Sequence, residues 1–200
     1  MENALRKLFL GTLVCVALWT VAASAQQLDA AFGAGTLSAP SASSASNSNS
    51  PVSLDGGTYL NFSGDYLFYK GHFGAGGEIA WRASQALYAG TYPYRPIFYD
   101  FNGIYAPKLS KSVTAELMAG IGGEDVRFYN PAGGCGFGCT NFVSTNHFMG
   151  HLGGGLRLYV HGGFFVRPEA HLYLVHNNDE FSSGHSARYG VSIGYSFGRP

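Results

Sequence analysis

The stretch Tyr189-Gly-Val-Ser-Ile-Gly-Tyr-Ser-Phe197 alternates without a break. Tyr189, Val191, Ile193, Tyr195 and Phe197 share one side of an extended chain, and Gly190, Ser192, Gly194 and Ser196 share the other. Successive side chains of a strand point to opposite faces, so this is a strand with one apolar face and one small, polar face. The same period of two recurs upstream. Leu60, Phe62, Tyr66 and Phe68 oppose Asn61, Ser63 and Asp65. Ile79 and Trp81 oppose Glu78 and Arg82, and Tyr99, Phe101 and Tyr105 oppose Asp100 and Asn102. Val113, Ala115, Leu117, Ala119 and Ile121 oppose Thr114, Glu116 and Met118. Leu152, Leu156, Leu158 and Val160 oppose Arg157 and Tyr159. Val166, Ala170, Leu172 and Leu174 oppose Arg167, Glu169, His171 and Tyr173. A further strand is expected at about 86–95, where Tyr88, Tyr92 and Tyr94 compete with Leu87 and Ala89 for the apolar face. The expected total is eight strands.

Composition sharpens the choice of what each face meets. Lys plus Arg is 12 and Asp plus Glu is 12, which removes any electrostatic reason for a nucleic-acid partner. Charged residues are 12% of the chain, about half the ~25% of soluble domains. In their place stand 29 Gly, 15 Phe and 13 Tyr. A mean hydropathy of +0.03 leaves no room for a bundle of membrane helices. A soluble barrel would turn the apolar faces inward, whereas a transmembrane barrel turns them to lipid and keeps the polar faces inside.

Three features favour the second. The polar faces are rich in Gly, Ser and charges of both signs: Asp65, Glu78, Arg82, Asp100, Glu116, Arg157, Arg167 and Glu169 all oppose the apolar side. Aromatics gather near strand ends, at Tyr59, Trp81, Tyr105, Tyr189 and Phe197, as interfacial girdles do. Connections also alternate in length, short at about 83–85, 107–112 and 161–163 and long at about 129–146 and 177–186. Two details strain this scheme: a short outer connection near Arg95-Pro96, and Pro168 inside a strand of a closed barrel, where a local bulge is expected.

Outside the alternating region, residues 1–25 read as a secretory signal. Arg6 and Lys7 precede the apolar run Leu8 to Ala23, and Ala23-Ser24-Ala25 is a cleavage site. Residues 26–56 change texture. The tract Pro40 to Ser50 has no apolar period, and the whole segment reads as a flexible periplasmic Ser/Ala/Asn-rich tether before a barrel spanning 57–198. Cys135 and Cys139 remain after cleavage, and outside the cytoplasm a disulfide is the default. It would close a very short ring worth about 2 kcal/mol.

The segments Phe62-Ser-Gly-Asp-Tyr66, Asn146-His-Phe-Met-Gly-His-Leu-Gly-Gly-Gly155, Phe165-Val-Arg-Pro-Glu169 and Gly190-Val-Ser-Ile-Gly-Tyr-Ser-Phe197 together resemble the small porin-like outer-membrane β-barrel domain family, similar to the barrel of outer-membrane protein A. The resemblance implies an eight-stranded antiparallel transmembrane up-and-down β-barrel in the outer membrane of a Gram-negative bacterium, with both termini periplasmic. It implies outer-membrane lipid and lipopolysaccharide as surroundings, with periplasmic chaperones and the barrel-assembly machinery acting in biogenesis. The face Tyr189, Val191, Ile193, Tyr195 and Phe197 then looks like the assembly signal, although Gly198-Arg199-Pro200 follow where such chains often end.

Chemistry-bearing residues are few. His147, Met149 and His151 share a strand face, but alternate residues are ~6.6 Å apart, so the two histidines stand about twice that apart and cannot share an ion without a bend. Ser182, Ser183, His185 and Ser186, near Asp179 and Glu180, contain the residue types of a hydrolase. They lie in a polar loop with no strained turn to activate a nucleophile. Glu116, Glu169, Arg157 and Arg167 offer the residue types of a general acid–base group, but in a narrow lumen they are expected to pair, since unpaired buried charge is costly. Gly120-Ile-Gly122-Gly123 and Gly153-Gly-Gly155 have no phosphate-binding spacing and give room in crowded strands. No cofactor, metal or enzymatic activity is expected. An eight-stranded lumen is just wide enough for side chains to fill, so the expected role is structural or surface-interacting, through the loops at about 129–146 and 177–186. The competing readings are a lipid-modifying outer-membrane hydrolase and a soluble periplasmic barrel that binds a hydrophobic ligand.

Overall fold

The computed structural model describes residues 26–40, 52–54, 56–68, 71–129 and 141–198. These residues form nine strands: β1 (Gln27–Ser38), β2 (Thr58–Phe68), β3 (Phe73–Arg82), β4 (Ala86–Tyr88), β5 (Tyr92–Tyr105), β6 (Val113–Tyr129), β7 (Phe142–His161), β8 (Phe164–Val175) and β9 (His185–Phe197). Eight of them close a barrel. Each pairs antiparallel with the next, β3 pairs with β5, and β9 returns to pair with β1. β4 is a three-residue addition that folds back on the start of β5.

The expected total of eight is met by a different set of strands. The segment read as a tether supplies β1, which pairs along its length with β2 and β9, from Leu28↔Tyr66 to Thr36↔Thr58 and from Leu28↔Phe197 to Ser38↔Ala187. The barrel therefore begins at Gln27 and not at 57. The expected strand at 86–95 is instead β4 and the opening of β5, and Arg95 and Pro96 lie inside β5 with no connection between them. Small residues hid β1. A Cβ at Gly33 would come within 2.6 Å of the Asn61 Oδ1 and 2.8 Å of the Val191 carbonyl, so at that position the strand fits between its neighbours only without a side chain.

This assignment sorts the connections. At one end lie 69–72, 106–112 and the two-residue turn 162–163, where Gly162 takes a left-handed φ of 54°. At the other lie 39–57, 83–91, 130–141 and 176–184. The connection expected to be short at 83–85 thus belongs to the long-loop end, and in chain order the Ser-rich tract falls between β1 and β2. Residues 26 and 198, the first and last described, both lie at the short-turn end. The register of β8 on β9 runs unbroken through Pro168↔Val191. On the β7 side two pairs are missing opposite Arg167 and Pro168, and pairing resumes at Leu158↔Val166 without a shift. The irregularity expected at Pro168 lies instead between Tyr159 and His161.

Facing is inverted relative to a soluble protein. Phe101 is 75% exposed and Ile193 65% exposed, while Arg157, Arg167 and Arg188 are fully buried. Apolar residues cover the outside of every barrel strand and charges fill the inside, so the architecture is that of a transmembrane up-and-down barrel. A soluble barrel with an apolar ligand cavity would need the opposite facing. One girdle residue is reassigned: Tyr59 points inward and is buried.

Candidate functional site

The lumen is stacked in layers. Toward the short-turn end, Leu67, Ile104, Ala106 and Met118 form a small apolar cluster. The middle is ionic. Asp29 and Asp65 stand directly opposite in the β1–β2 register, an arrangement that repels unless a cation joins them. Arg157 does so: it binds Asp29, reaches the Asp65 carboxylate at 2.9 Å and also pairs with Glu116. Arg167 donates to Glu169 at 2.8 Å, Glu116 at 2.9 Å and Ser63 at 2.8 Å, and lies 3.3 Å from Asp65. Arg188 binds Glu78, donates to the Tyr173 hydroxyl at 3.0 Å and lies 3.5 Å from Glu169. Asn61 donates to Glu169 at 2.9 Å and to Glu78 at 3.1 Å.

Above the ions lies a ring stack. Phe98 stacks on Tyr173 with centroids 4.6 Å apart, and His151 stacks against His171 at 5.1 Å. His151 also contacts Asn102 at 2.7 Å and the His171 ring nitrogen at 2.9 Å, and Asn102 binds Asp100. Inward glycines make room for this: a Cβ at Gly153 would lie 3.0–3.1 Å from both imidazoles and from Met118.

The long-loop end is capped by apolar side chains, several of them from connections. Leu37, Tyr59, Tyr94, Phe98, Val126 and Met149 from strands pack with Leu54 and Phe181 from loops, and with Val52 and Tyr88 at the edge. Val52 and Phe181 form an isolated parallel bridge, Ser182 N–H donates to the Val52 carbonyl at 3.0 Å, and the Tyr88 hydroxyl donates to the Glu180 carbonyl at 2.8 Å. The cap is thereby stitched from three connections.

Of the charges singled out in the sequence, Asp65, Glu78, Glu116, Arg157, Arg167 and Glu169 meet in one network. Asp100 touches it through Asn102 and His151. Arg82 stands at the loop end of β3, its guanidinium against Gly57. Asp29 and Arg188 also belong to the network and carry no reading in the sequence; Asn61, Asn102, His171 and Tyr173, placed there only on the polar faces, and His151, weighed only as a metal ligand, join them. Arg188 was within reach: extending the alternation of Gly190 and Ser192 back one step includes it. Asp29 was masked by the tether reading.

His147, Met149 and His151 do share the inward face, in three different settings. His147 lies 2.9 Å from Glu180 at the mouth, Met149 joins the cap, and His151 joins the ring stack. A potential metal triad, Glu78, Glu169 and His171, converges within 4.8 Å, but Arg188 already sits between its two carboxylates, so the cation at that point is a guanidinium. The Ser183 hydroxyl is 3.0 Å from His185 Nδ1, and it also accepts the His185 N–H at 3.2 Å. Ser183 and His185 are held there by a local two-residue turn, and Glu180 is engaged with His147. Cys135 and Cys139 lie outside the described residues, as does the segment 1–25. The face Tyr189, Val191, Ile193, Tyr195 and Phe197 is exposed along β9, between β1 and β8.

No family model and no curated protein matches this chain. Solved structures do. Neisserial surface protein A aligns with a TM-score of 0.59 at 8% identity, over 86% of this chain and 97% of its own. Ail, the attachment invasion locus protein of Yersinia pestis, in complex with the heparin analogue sucrose octasulfate, aligns at 0.56 and 12% identity, over 86% and 99%. The N-terminal β-barrel domain of Pseudomonas aeruginosa OprF aligns at 0.53 and 11% identity, over 86% and 98%. At such identities the likeness is one of fold, and with the closed inverted barrel described above it shows that this chain folds as a small eight-stranded β-barrel of the outer-membrane type.

Proposed function

We propose that this protein resides in the outer membrane of a Gram-negative envelope and acts at the cell surface through its long loops, as a structural or interaction element and not as a general porin. The observation that carries this is the filled lumen. A solute would have to displace three buried arginines from their carboxylates and then pass a cap pinned by Val52, Leu54, Tyr88 and Phe181. Breaking one such buried pair costs about 3–5 kcal/mol. The short-turn end, with both chain ends, faces the periplasm in this reading. The connections 130–141 and 176–184, narrower than the loops expected at about 129–146 and 177–186, face outward, joined there by 39–57 and 83–91. Insertion proceeds through the barrel-assembly machinery, with the outward face of β9 as its signal, after delivery by periplasmic chaperones. A Cys135–Cys139 bridge shapes the larger loop, and thiol labelling of unreduced, denatured protein is expected to find no free Cys. Ail, of the same fold, binds a sulfated sugar analogue, a precedent for surface recognition by such a barrel.

Membrane fractionation with boiled and unboiled gel samples tests the location: recovery in the outer membrane with a band that shifts on boiling is expected. Planar-bilayer recording tests the lumen, and a large, stable conductance would overturn the reading. One observation favours a second reading, a lipid-modifying hydrolase: Ser183 and His185 are in contact, and His185 shares the outward parity of Tyr189 and Val191. Under the leading reading, replacing both by Ala leaves lipid composition unchanged. A change would favour the hydrolase.

A further inference from the structure

Among the described residues, the outward positions of the eight barrel strands carry three Asp, Glu, Lys or Arg side chains, and all three lie together. Arg95 is on β5, and Asp125 and Arg127 are on β6, at the long-loop end. Two of them repel by construction, because Arg95 and Arg127 are directly opposed in the β5–β6 register, and like charges in that position destabilise a sheet. The local compensation is partial. Asp125 takes the Arg127 Nε at 2.9 Å, and Arg127 lies over the Phe142 ring at 5.0 Å. Arg95 donates at 3.4 Å to the Ala83 carbonyl, while its Nε is buried without a hydrogen-bond partner, as is Asp125 Oδ1. Two cations face one anion, and the arrangement lacks one negative group.

Position says where that group comes from. From Tyr105, the outward aromatic at the short-turn end of β5, to Arg95 is ten residues, about 34 Å along a strand and about 26 Å along the axis at a tilt of ~40°. The apolar band of such a barrel is about 25 Å tall. The arginine pair therefore stands at the edge of the band, with Ile97 and Tyr99 just below it on the same strand and Trp81 beside Ile97 on β3. That level is occupied by lipid headgroups, and the side chains point away from the lumen toward them. Guanidinium forks match phosphate oxygens in paired hydrogen bonds.

We propose that Arg95 and Arg127 form a clamp for a phosphate group of a lipid in the surrounding outer leaflet, with Asp125 orienting Arg127. The proposal rests on the outward placement of the long-loop end given above.

The test uses the full mature chain refolded into phosphatidylcholine vesicles, with and without added lipid A or its dephosphorylated form, and follows the urea midpoint of the unboiled band. Lipid A is expected to raise the midpoint of the parent, while the dephosphorylated lipid does not. In R95Q/R127Q the lipid A concentration needed for half the shift should rise at least tenfold, the loss of at least one charged hydrogen bond to phosphate. Without lipid A that variant should fold at least as well as the parent, being relieved of the repulsion. R95K/R127K, which keeps both charges, is expected to retain part of the shift and serves if the glutamines impair folding. An equal shift in parent and R95Q/R127Q, an equal shift with dephosphorylated lipid, or the same stabilisation by millimolar inorganic phosphate alone would each overturn the clamp. A parent that shows no boiled-unboiled shift at all overturns the membrane reading instead.

Discussion

Replacing Arg167 by Met removes the cation that ties the middle of the lumen together. Its side chain is fully buried and makes contacts to Ser63, Asp65, Glu116 and Glu169. Counted separately, four charged hydrogen bonds at about 1.5–3 kcal/mol each give roughly 6–12 kcal/mol, an upper bound. The neighbours cut that figure. Arg157 still holds Asp65 and Glu116, and Asn61, Ser192 and Arg188 still reach Glu169, so no carboxylate is stripped of every partner. The expected cost is therefore that of breaking one buried pair, about 3–5 kcal/mol. Urea unfolding in vesicles measures it, by the fraction of unboiled band and by fluorescence of Trp81, the one tryptophan after residue 25. Removing a carboxylate as well should restore part of the loss, so R167M/E116Q is expected to be less destabilised than the sum of the two single variants by about 1–3 kcal/mol. Arg167→Lys should recover only a fraction, because an ammonium cannot span three carboxylates and a hydroxyl at once. A loss below about 1 kcal/mol for R167M, or strict additivity of the double variant, would refute the view that this network is what holds the lumen closed.

Three further outcomes follow from the same geometry. Deleting Gln27–Ser38 removes one barrel strand and should abolish the band that shifts on boiling, whereas a free tether could be deleted without effect. Ile193→Lys, in the middle of the outward face of β9, should cost about 2–4 kcal/mol in a bilayer, against about 0–1 kcal/mol for Thr58→Lys, exposed on the outward parity of β2 at the long-loop end; equal costs in the urea assay would mean that the lipid face is misplaced. Gly153→Val forces a side chain against both imidazoles and Met118, an overpacking expected to cost about 1–3 kcal/mol, while Gly64→Ala, where a Cβ meets nothing within 4 Å, should stay within about 1 kcal/mol in the same measurement.

The alternation of Tyr189 to Phe197 and its counterparts carried the fold class by itself. Period two is imposed by backbone geometry, so a run of aromatics opposite glycines, serines and charges states both that the segment is a strand and which side must avoid water. It also named most of the lumen: Asp65, Glu78, Glu116, Arg157, Arg167 and Glu169 share a face by parity alone, and the structure brings them together. What parity cannot supply is distance between strands. That Arg157 joins two opposed aspartates, that Arg188 fills the gap between Glu78 and Glu169, and that Arg95 faces Arg127 all depend on register, which is set by closure of the sheet. Closure also decided β1. Gln27 to Ser38 sets Leu28, Phe32 and Leu37 among alanines and glycines with little intrinsic strand preference, and it becomes a strand because it joins the open edges of β2 and β9, which in a membrane must find backbone partners. The apolar cap is tertiary for the same reason: Val52, Tyr88 and Phe181 come from separate connections, and only the closed barrel brings them over one mouth.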